Sequence, residues 1–147
     1  MNNELKTSQE GISLIKSFEG CELTAYRCSA DVPTIGYGHT AGVSDGDTCT
    51  QEEAETMLAE DLVEFEEYVK NYVEFELQQN EFDALVAWTY NLGPKNLSES
   101  TLLKELNAGN LEEVPRQMKR WNRAGGEVLD GLIRRREAES RLFKGEA

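Results

Sequence analysis

The chain has 147 residues, of which 39% are hydrophobic and 29% are charged. It is long enough for one ordinary domain with a buried core, and its composition excludes a disordered protein. Twenty-eight acidic against 15 basic residues give a net charge of −13, which argues against nucleic acid as a partner. No apolar segment approaches the roughly 20 residues of a membrane span, and the first residues lack a secretory signal pattern. We expect a soluble monomer without stable membrane insertion, synthesised in the cytoplasm.

The predicted elements begin with a short amphipathic helix over residues 8–19, in which apolar side chains recur at three- and four-residue steps. Gly20 ends this helix. From residue 23 to 43, β-branched and aromatic residues alternate with glycines, a pattern typical of short strands joined by tight turns. We therefore predict a small lobe over residues 12–49 that contains a β-hairpin.

A capping box opens the next helix, because Thr50 and Glu53 have the spacing at which side chain and backbone exchange hydrogen bonds. A helix of some twenty residues spans about 30 Å, enough to connect two lobes. Further helices are predicted over residues 78–92, 101–107, 111–121 and 129–143. The predicted fold class is α+β and mostly helical, with a connecting helix over residues 50–75 and a helical lobe over residues 76–147.

Basic residues concentrate in the segment 115–147, which carries nine of them against five acidic residues. Three consecutive arginines, Arg134, Arg135 and Arg136, lie on the last predicted helix. They either face an anionic partner or belong to a solvated helix face with ion pairs. We expect no metal and no cofactor, because the chain has one histidine, His39, and its three cysteines form no metal-binding motif.

Glu19 is the strongest candidate for acid–base chemistry. It lies at the C-terminal end of the first predicted helix, after Phe18 and before Gly20. An apolar neighbour and the negative end of a helix dipole help a carboxyl to keep its proton, as a general acid requires. A solvated surface glutamate has the same local sequence, so this position alone does not identify a site.

The motif around Glu19 extends into the predicted hairpin. The stretch EGCELTAYRC covers residues 19–28, and the stretch TIGYGHT begins at Thr34. These residues resemble the phage-type lysozymes, the endolysins of glycoside hydrolase family 24. In that family a Glu is usually followed nine residues later by an Asp, and six residues further by a Thr. Here the same spacings lead from Glu19 to Cys28 and to Thr34, and the resemblance continues through most of the chain, including the run YNLG from Tyr90.

The resemblance implies a single lysozyme-like catalytic domain over residues 1–147. It would hydrolyse the β-1,4 bond between N-acetylmuramic acid and N-acetylglucosamine in the glycan strands of peptidoglycan. Glu19 would protonate the leaving oxygen, while Cys28 and Thr34 would handle the water that attacks the opposite face of the sugar. Such an enzyme would accumulate in the host cytoplasm and act on the cell wall in the periplasm after release through a membrane pore.

Cys28 departs from the family pattern, since most relatives carry Asp at this position. A thiolate could act as a base or orient water, whereas a neutral thiol cannot replace a carboxylate. Asp31, three residues later, is the alternative for this function. Cys21 lies seven residues before Cys28, and a disulfide between the two would silence the enzyme.

Other residues complete the predicted site. The resemblance makes His39 structural and paired with Asp61, although a sole histidine beside the motif could also be a base. Contacts with the glycan are expected from Tyr26, Gly38, Tyr90, Asn91 and Arg134, with a core position as the alternative for Tyr90. Two other activities stay open: a lytic transglycosylase, which needs the same acidic Glu, and an inactive module that only binds peptidoglycan.

Overall fold

The computed structural model describes residues 2–28 and 30–146. Within them the chain forms seven helices and two antiparallel two-stranded hairpins, which confirms the predicted α+β, mostly helical class. In chain order the elements are α1 (Gln9–Glu19), β1 (Glu22–Arg27), β2 (Pro33–Gly36), α2 (Gln51–Tyr72), α3 (Gln79–Leu92), α4 (Pro94–Glu99), α5 (Thr101–Asn107), α6 (Glu113–Lys119), β3 (Arg123–Ala124), β4 (Glu127–Val128) and α7 (Asp130–Lys144).

The described residues form two compact units. The small unit is Ile15–Glu64, and the large unit comprises the residues up to Leu14 together with those from Phe65 onward. The boundaries fall inside α1 and α2, so each of these helices contributes residues to both units. Among the described helices, none combines the length and the apolar character that a membrane crossing requires.

In the small unit, β1 pairs antiparallel with β2, and Tyr26 lies opposite Thr34. Gly36, at the end of β2, approaches α2 so closely that a Cβ built on it would lie 3.4 Å from the Ala54 Cβ. The close approach lets the hairpin pack on the helix. The buried hydrophobic core of this unit consists of Ile15, Ile35, Tyr37, Ala54, Leu58 and Leu62.

The start of α2 has the predicted capping box. The Glu53 N–H donates to Thr50 Oγ1 at 3.1 Å, and the Thr50 N–H donates to Glu53 Oε1 at 2.8 Å. Both bonds satisfy backbone donors that the first turn of a helix leaves without partners. The predicted helix start is therefore confirmed.

The large unit is organised around α3, which packs against α7, while α7 also packs against α6. Every residue from 82 to 89 in α3 is buried. Trp88 is fully buried and meets Trp121 edge to face, with ring centroids 5.4 Å apart. A helix that is buried over eight consecutive residues lies in the centre of a helical core.

The sequence did not predict helix α4 or the β3–β4 hairpin of the large unit. Pro94 ends α3 but also serves as the first residue of α4, a position where a missing N–H costs nothing. Gly125 and Gly126 have φ of +59° and +84°, as a two-residue hairpin turn requires, and so they join β3 to β4. In the sequence, Pro94 and the pair Gly125–Gly126 both indicate only the end of a helix. The structure shows that a short helix begins at the first and that a hairpin turn forms at the second.

Candidate active site

Glu19 is the last residue of α1 and is half-buried. The helix ends because Gly20 adopts a left-handed backbone with φ of +67°, which glycine accepts without strain. The Gly20 N–H donates to the Lys16 carbonyl at 3.0 Å and closes the last turn. The local sequence thus holds Glu19 at a helix end, directly before β1.

The turn between β1 and β2 positions Cys28 and Thr34. The Cys28 N–H donates to the Val32 carbonyl at 3.1 Å, and the Asp31 N–H donates to the Cys28 carbonyl at 2.8 Å. Thr34 is buried, and its hydroxyl donates to the Val32 carbonyl at 2.8 Å. Because that bond uses the hydroxyl proton, the lone pairs of Thr34 Oγ1 can accept a hydrogen bond from water.

The surroundings of Cys28 favour its thiolate. The backbone N–H groups of Val32 and Ala30, followed by the Thr34 hydroxyl, lower the pKa of the Cys28 thiol from its ordinary value. A hydroxyl hydrogen rotates freely, so Thr34 donates either to the Val32 carbonyl or to the sulfur. The turn therefore makes the Cys28 thiol more acidic than an ordinary cysteine and places it beside a hydroxyl.

Tyr26 lies close to both Glu19 and Cys28. Burial, and then the negative charges of Glu19, Cys28 and Glu22, raise the pKa of the Tyr26 phenol. Coulombic effects fall with distance, so both groups lie near this ring. Tyr26 also pairs with Thr34 across the hairpin and is 40% exposed. Within the small unit, Tyr26 thus lies near Glu19 and Cys28 and opposite Thr34.

Asp31 lies in the same turn but in a different environment. It has φ of +60°, rare for a residue other than glycine, and its side chain is 83% exposed. Arg27 donates to the Asp31 carbonyl at 3.0 Å and to its carboxylate at 3.5 Å. The same guanidinium donates to Asp45 at 2.7 Å. The carboxylate of Asp31 is therefore engaged with an exposed arginine.

Two polar contacts attach the segment after β2 to α2. His39 Nδ1 lies 2.8 Å from Asp61 Oδ2, and the Tyr37 hydroxyl donates to Glu55 Oε2 at 3.0 Å. Lys16 donates to the other oxygen of Glu55 and is the main cause of a pKa below the ordinary value for that carboxyl. These contacts attach to α2 the segment that follows the β1–β2 hairpin.

Gly38 lies in the tight turn of this segment. Its φ of +88° favours glycine, and Ile35 and His39 exchange two backbone hydrogen bonds of 2.9 Å around it. This backbone conformation explains why a glycine occupies position 38. The expected contact of Gly38 with the glycan stays a prediction.

Tyr90 and Asn91 lie in the last turn of α3, in the large unit, and both are half-buried. The Tyr90 ring packs edge to face on Phe65, with centroids 5.0 Å apart. Asn91 Oδ1 accepts a hydrogen bond from Arg136 Nη2 at 2.7 Å. The end of α3 thus presents an aromatic ring beside an amide whose oxygen is already used.

The three consecutive arginines of α7 have different environments. Arg134 is exposed, whereas Arg135 and Arg136 are 5% and 0% exposed. Both buried arginines pair with the fully buried Glu139, at 3.5 Å and 2.7 Å. An anionic partner facing all three is therefore a wrong prediction for Arg135 and Arg136. The sequence feature that indicates these ion pairs is Glu139, which lies four residues after Arg135 and three after Arg136.

Burial opposes ionisation in this cluster. It raises the pKa of Glu139 to about 7, although the charges of Arg136 and Arg135 act in the other direction. Burial also lowers the pKa of Arg136. Arg136 Nη2 donates to Glu139 Oε2 at 3.0 Å, and Arg135 forms an ion pair with the same oxygen at 3.5 Å, so opposite charges compensate each other in this buried cluster.

Within residues 2–28 and 30–146, all three cysteines are free thiols, so Cys21 and Cys28 form no disulfide. Cys21 instead donates to Gln51 Oε1 at 3.7 Å. In the same part of the chain, no three His, Cys, Asp or Glu side chains are grouped to hold a metal ion.

The chain matches the family model described as phage lysozyme over residues 16–139. It is 43% identical to an endolysin of Bacillus phage B103, over 95% of this chain and 54% of that protein. It thus spans about half the length of that relative. It is 40% identical to an endolysin of Acyrthosiphon pisum secondary endosymbiont phage 1, over 93% of this chain and 97% of the relative.

Among solved structures, the muramidase domain of SpmX from Asticaccaulis excentricus is similar, with a TM-score of 0.89 and 39% identity. The likeness covers 95% of this chain and 98% of that one. It confirms the lysozyme-like fold that the motifs around Glu19 imply. By its family match and its relatives, the chain belongs to the phage lysozyme family, as the sequence resemblance predicts.

Proposed function

We propose that this protein is a muramidase of the endolysin type, which hydrolyses the β-1,4 bond between N-acetylmuramic acid and N-acetylglucosamine. The observation that carries the proposal is the extent of the family match. Residues 16–139 include Glu19, the hairpin with Cys28 and Thr34, and the end of α3 with Asn91. The SpmX neighbour, described as a muramidase domain, supports the same activity.

In the proposed reaction, Glu19 is the general acid. Its proton goes to the glycosidic oxygen while the bond from that oxygen to the anomeric carbon breaks. A water molecule attacks the anomeric carbon and loses a proton to the Cys28 thiolate. Thr34 orients this water, since its hydroxyl oxygen accepts a hydrogen bond from the water while its O–H donates to the Val32 carbonyl. Proton exchange with solvent then restores Glu19 and Cys28.

The first test of this function is Glu19→Gln. The amide keeps the shape of the side chain but has no acidic proton, so we expect activity to fall by about 10²- to 10⁴-fold. The readout is loss of turbidity of a purified peptidoglycan suspension. Glu10→Gln, an exposed change in the first turn of the same helix, is the matched control and should leave the rate unchanged.

The products of the wild-type reaction distinguish the remaining activities. Reducing N-acetylmuramic ends indicate a hydrolase, whereas 1,6-anhydro ends indicate a lytic transglycosylase. The replacement of the usual carboxylate by Cys28 favours the second candidate, because a transglycosylase does not have to activate water. Binding to peptidoglycan without any cleavage would identify an inactive module and contradict the proposal.

A separate set of variants assigns the water-activating group. Cys28→Asp should preserve activity and Cys28→Ser should impair it, because serine lacks an anionic form near neutral pH. Asp31→Asn should have little effect, since the Asp31 carboxylate is exposed and engaged with Arg27. Cys49→Ser controls for the loss of a thiol. Loss of activity in Asp31→Asn with activity retained in Cys28→Ser would assign the role to Asp31.

We also propose that the protein acts as a monomer on peptidoglycan glycan strands after a membrane pore releases it from the host cytoplasm. Expression in a Gram-negative host should leave the cells intact until chloroform permeabilises the inner membrane. Light scattering should give a mass near 16.5 kDa for this chain. Lysis without permeabilisation, or a dimer mass, would contradict these two points.

A further inference from the structure

The turn that carries Cys28 contains a strained backbone position. Asp31 has a left-handed conformation with φ of +60°, and in the described part of the chain it is the residue other than glycine with a positive φ. This conformation costs an L-residue free energy, because its Cβ crowds the neighbouring carbonyl oxygen. A contact from outside Asp31 is therefore needed to favour this form of the turn over others.

Arg27, the last residue of β1, provides that contact. Its Nη1 donates to the Asp31 carbonyl oxygen at 3.0 Å and lies 3.5 Å from Asp31 Oδ1. Its Nη2 donates to Asp45 Oδ2 at 2.7 Å. Asp45 lies in a separate turn, which a hydrogen bond of 3.1 Å from the Asp47 N–H to the Ser44 carbonyl closes. The planar guanidinium thus connects two turns of the small unit.

The oxygen that Arg27 holds belongs to the same peptide group as the Val32 N–H. A trans peptide group is planar, so its oxygen and its N–H point in opposite directions, and the described residues contain no cis peptide bond. The Val32 N–H is the first cause of the lowered pKa of the Cys28 thiol. Arg27 therefore grips one side of a peptide group whose other side faces the sulfur.

The other hydrogen bonds of the turn do not hold this peptide group. The Val32 carbonyl accepts from the Cys28 N–H at 3.1 Å and from the Thr34 hydroxyl at 2.8 Å, but this oxygen belongs to the next peptide group. Within residues 2–28 and 30–146, Arg27 is the donor to the Asp31 carbonyl. A cationic donor on the oxygen also polarises the peptide group and strengthens the hydrogen bond that its N–H donates.

We infer that Arg27 is a positioning residue, which holds the Asp31–Val32 peptide group so that its N–H stabilises the Cys28 thiolate. Asp45 keeps the guanidinium in place. The effect of Arg27 on catalysis rests on the proposed function, in which the thiolate takes a proton from water. Its effect on the thiol requires no glycan and is measured separately.

Arg27→Met tests the effect on the thiol. Methionine keeps an unbranched apolar stem but has no donor, so the peptide group is free to rotate. We expect iodoacetamide to alkylate Cys28 about three- to tenfold more slowly near pH 7, the effect of losing one hydrogen bond. The midpoint of the rate against pH should move to higher pH. Mass spectrometry resolves each thiol, and Cys49 in the same sample should keep its rate.

Arg116→Met is the matched control. Arg116 is an exposed arginine of α6 in the large unit, where it pairs with Glu113 at 3.8 Å. Its replacement removes the same charge and an ion pair, so Cys28 should react as in the wild type. Equal slowing in the two variants would assign the effect to net charge and contradict the positioning role.

A second substitution separates positioning from direct attraction between the guanidinium and the thiolate. Glycine adopts a φ of +60° without strain, so the turn of an Asp31→Gly variant depends less on Arg27. The double variant Arg27→Met/Asp31→Gly should recover about half or more of the rate that Arg27→Met loses. Absence of any recovery would show that Arg27 acts through its charge, since glycine cannot replace a charge.

The catalytic readout is the split between kcat and KM on purified peptidoglycan. In Arg27→Met, kcat near pH 7 should fall about three- to tenfold while KM stays unchanged. The acidic limb of the kcat profile should move to higher pH, because more alkaline solution is needed to ionise Cys28. A general loss of structure would lower kcat at every pH instead and would contradict the positioning role.

The fold should tolerate Arg27→Met, because exposed ion pairs contribute little to stability and the Arg27 side chain is 47% exposed. Asp45→Ala provides a second test outside the hairpin and should slow Cys28 in the same direction by a smaller factor. Unchanged rates and midpoints of Cys28 in both variants would overturn the inference. Failure of the proposed function is a different result, because a wild-type protein that cleaves no peptidoglycan still reports the acidity of Cys28.

Discussion

Cys28 and Cys49 are both free thiols of the small unit, but their surroundings change their acidity in opposite directions. Backbone N–H groups of the turn lower the pKa of Cys28, whereas burial, followed by the nearby Cys21, raises the pKa of Cys49. The thiolate is the nucleophilic form of cysteine. Of these two cysteines, Cys28 is the one that occupies the position of the usual Asp, and its surroundings stabilise a negative charge.

We predict that iodoacetamide alkylates Cys28 faster than Cys49 near pH 7. A lowered pKa places more of Cys28 in the thiolate form at that pH, and a raised pKa places less of Cys49 there. The measurement is mass spectrometry of the labelled peptides over time, with urea-unfolded protein as the control in which both rates should converge. Equal rates in the folded protein would show that the turn does not stabilise the thiolate.

At the scale of single elements, the start of α1 depends on one glycine. The Ser8 N–H donates to Asp83 Oδ1 at 2.9 Å, and the Ser8 hydroxyl donates to the other oxygen of the same carboxylate. Asp83 is 1% exposed and belongs to α3. A Cβ built on Gly11 would lie 2.8 Å from Thr7 Cγ2 and 2.9 Å from Asp83 Cβ. The glycine thus leaves room for the carboxylate that caps its own helix.

Gly11→Ala should therefore destabilise the protein, although alanine is the better helix former. The gain in helix propensity is about 1 kcal/mol, while overpacking at a buried contact costs about 1–3 kcal/mol. Gly131→Ala in α7 is the control, because the nearest atom to its Cβ would be Arg134 Nη2 at 3.9 Å. Urea unfolding should show a loss for Gly11→Ala and no loss for Gly131→Ala. Equal changes in the free energy of unfolding for the two variants would mean that α1 moves to accommodate the added methyl group without loss of stability.

Helix α7 carries two glutamates with contrasting partners. Glu139 is fully buried between Arg135 and Arg136, whereas Glu137 pairs with Lys119 at 3.1 Å with its side chain 48% exposed. An exposed pair contributes little because water and salt screen it. A buried pair that loses one partner leaves an uncompensated charge in the core.

We expect Glu139→Ala to lower the free energy of unfolding by about 3–5 kcal/mol, because it leaves the buried guanidinium group of Arg136 without its counter-charge. Glu137→Ala on the same helix should cost about 1 kcal/mol or less. Thermal and urea unfolding of both variants measure the difference. Similar small costs would show that water reaches the arginine cluster.

For the whole molecule, the proposed function implies that net charge affects the approach to the cell wall. The net charge is −13, and the sugar acids and peptide stems of peptidoglycan are anionic as well. Like charges slow association, and added salt weakens this effect because the screening length falls from about 30 Å at 0.01 M to about 8 Å at 0.15 M. On the proposed function, lysis should thus be limited by repulsion at low salt.

We predict that the clearing rate of purified peptidoglycan rises as salt increases from about 0.01 M to 0.15 M, the range in which screening develops. Cleavage of uncharged N-acetylglucosamine oligomers should not change over that range. The measurement is the initial rate on each of the two substrates at several salt concentrations, and the two slopes against salt are compared. A clearing rate that falls with salt would show that exposed basic residues of the segment 115–147, such as Arg134, control the encounter instead.

The amino-acid sequence by itself determined the features that depend on neighbouring residues. Gly20 ends α1 because a left-handed residue is needed there, and Thr50 with Glu53 opens α2 through bonds within one turn. The short connection between Glu19 and the β1–β2 hairpin also depends only on neighbouring residues, because α1 ends at Glu19 and β1 begins at Glu22. The family resemblance then rests on these positions, so fold class and family could both be predicted.

The tertiary structure decided what depends on residues distant in the chain. Arg135 and Arg136 have the composition of a surface patch, yet packing of α7 against α3 buries both. The direction of the Asn91 amide follows from a bond across 45 residues, and no local pattern encodes it. Burial and hydrogen-bond partners are properties of the packed chain. A sequence pattern identifies which residues can ionise or donate, and packing decides which of them face a substrate.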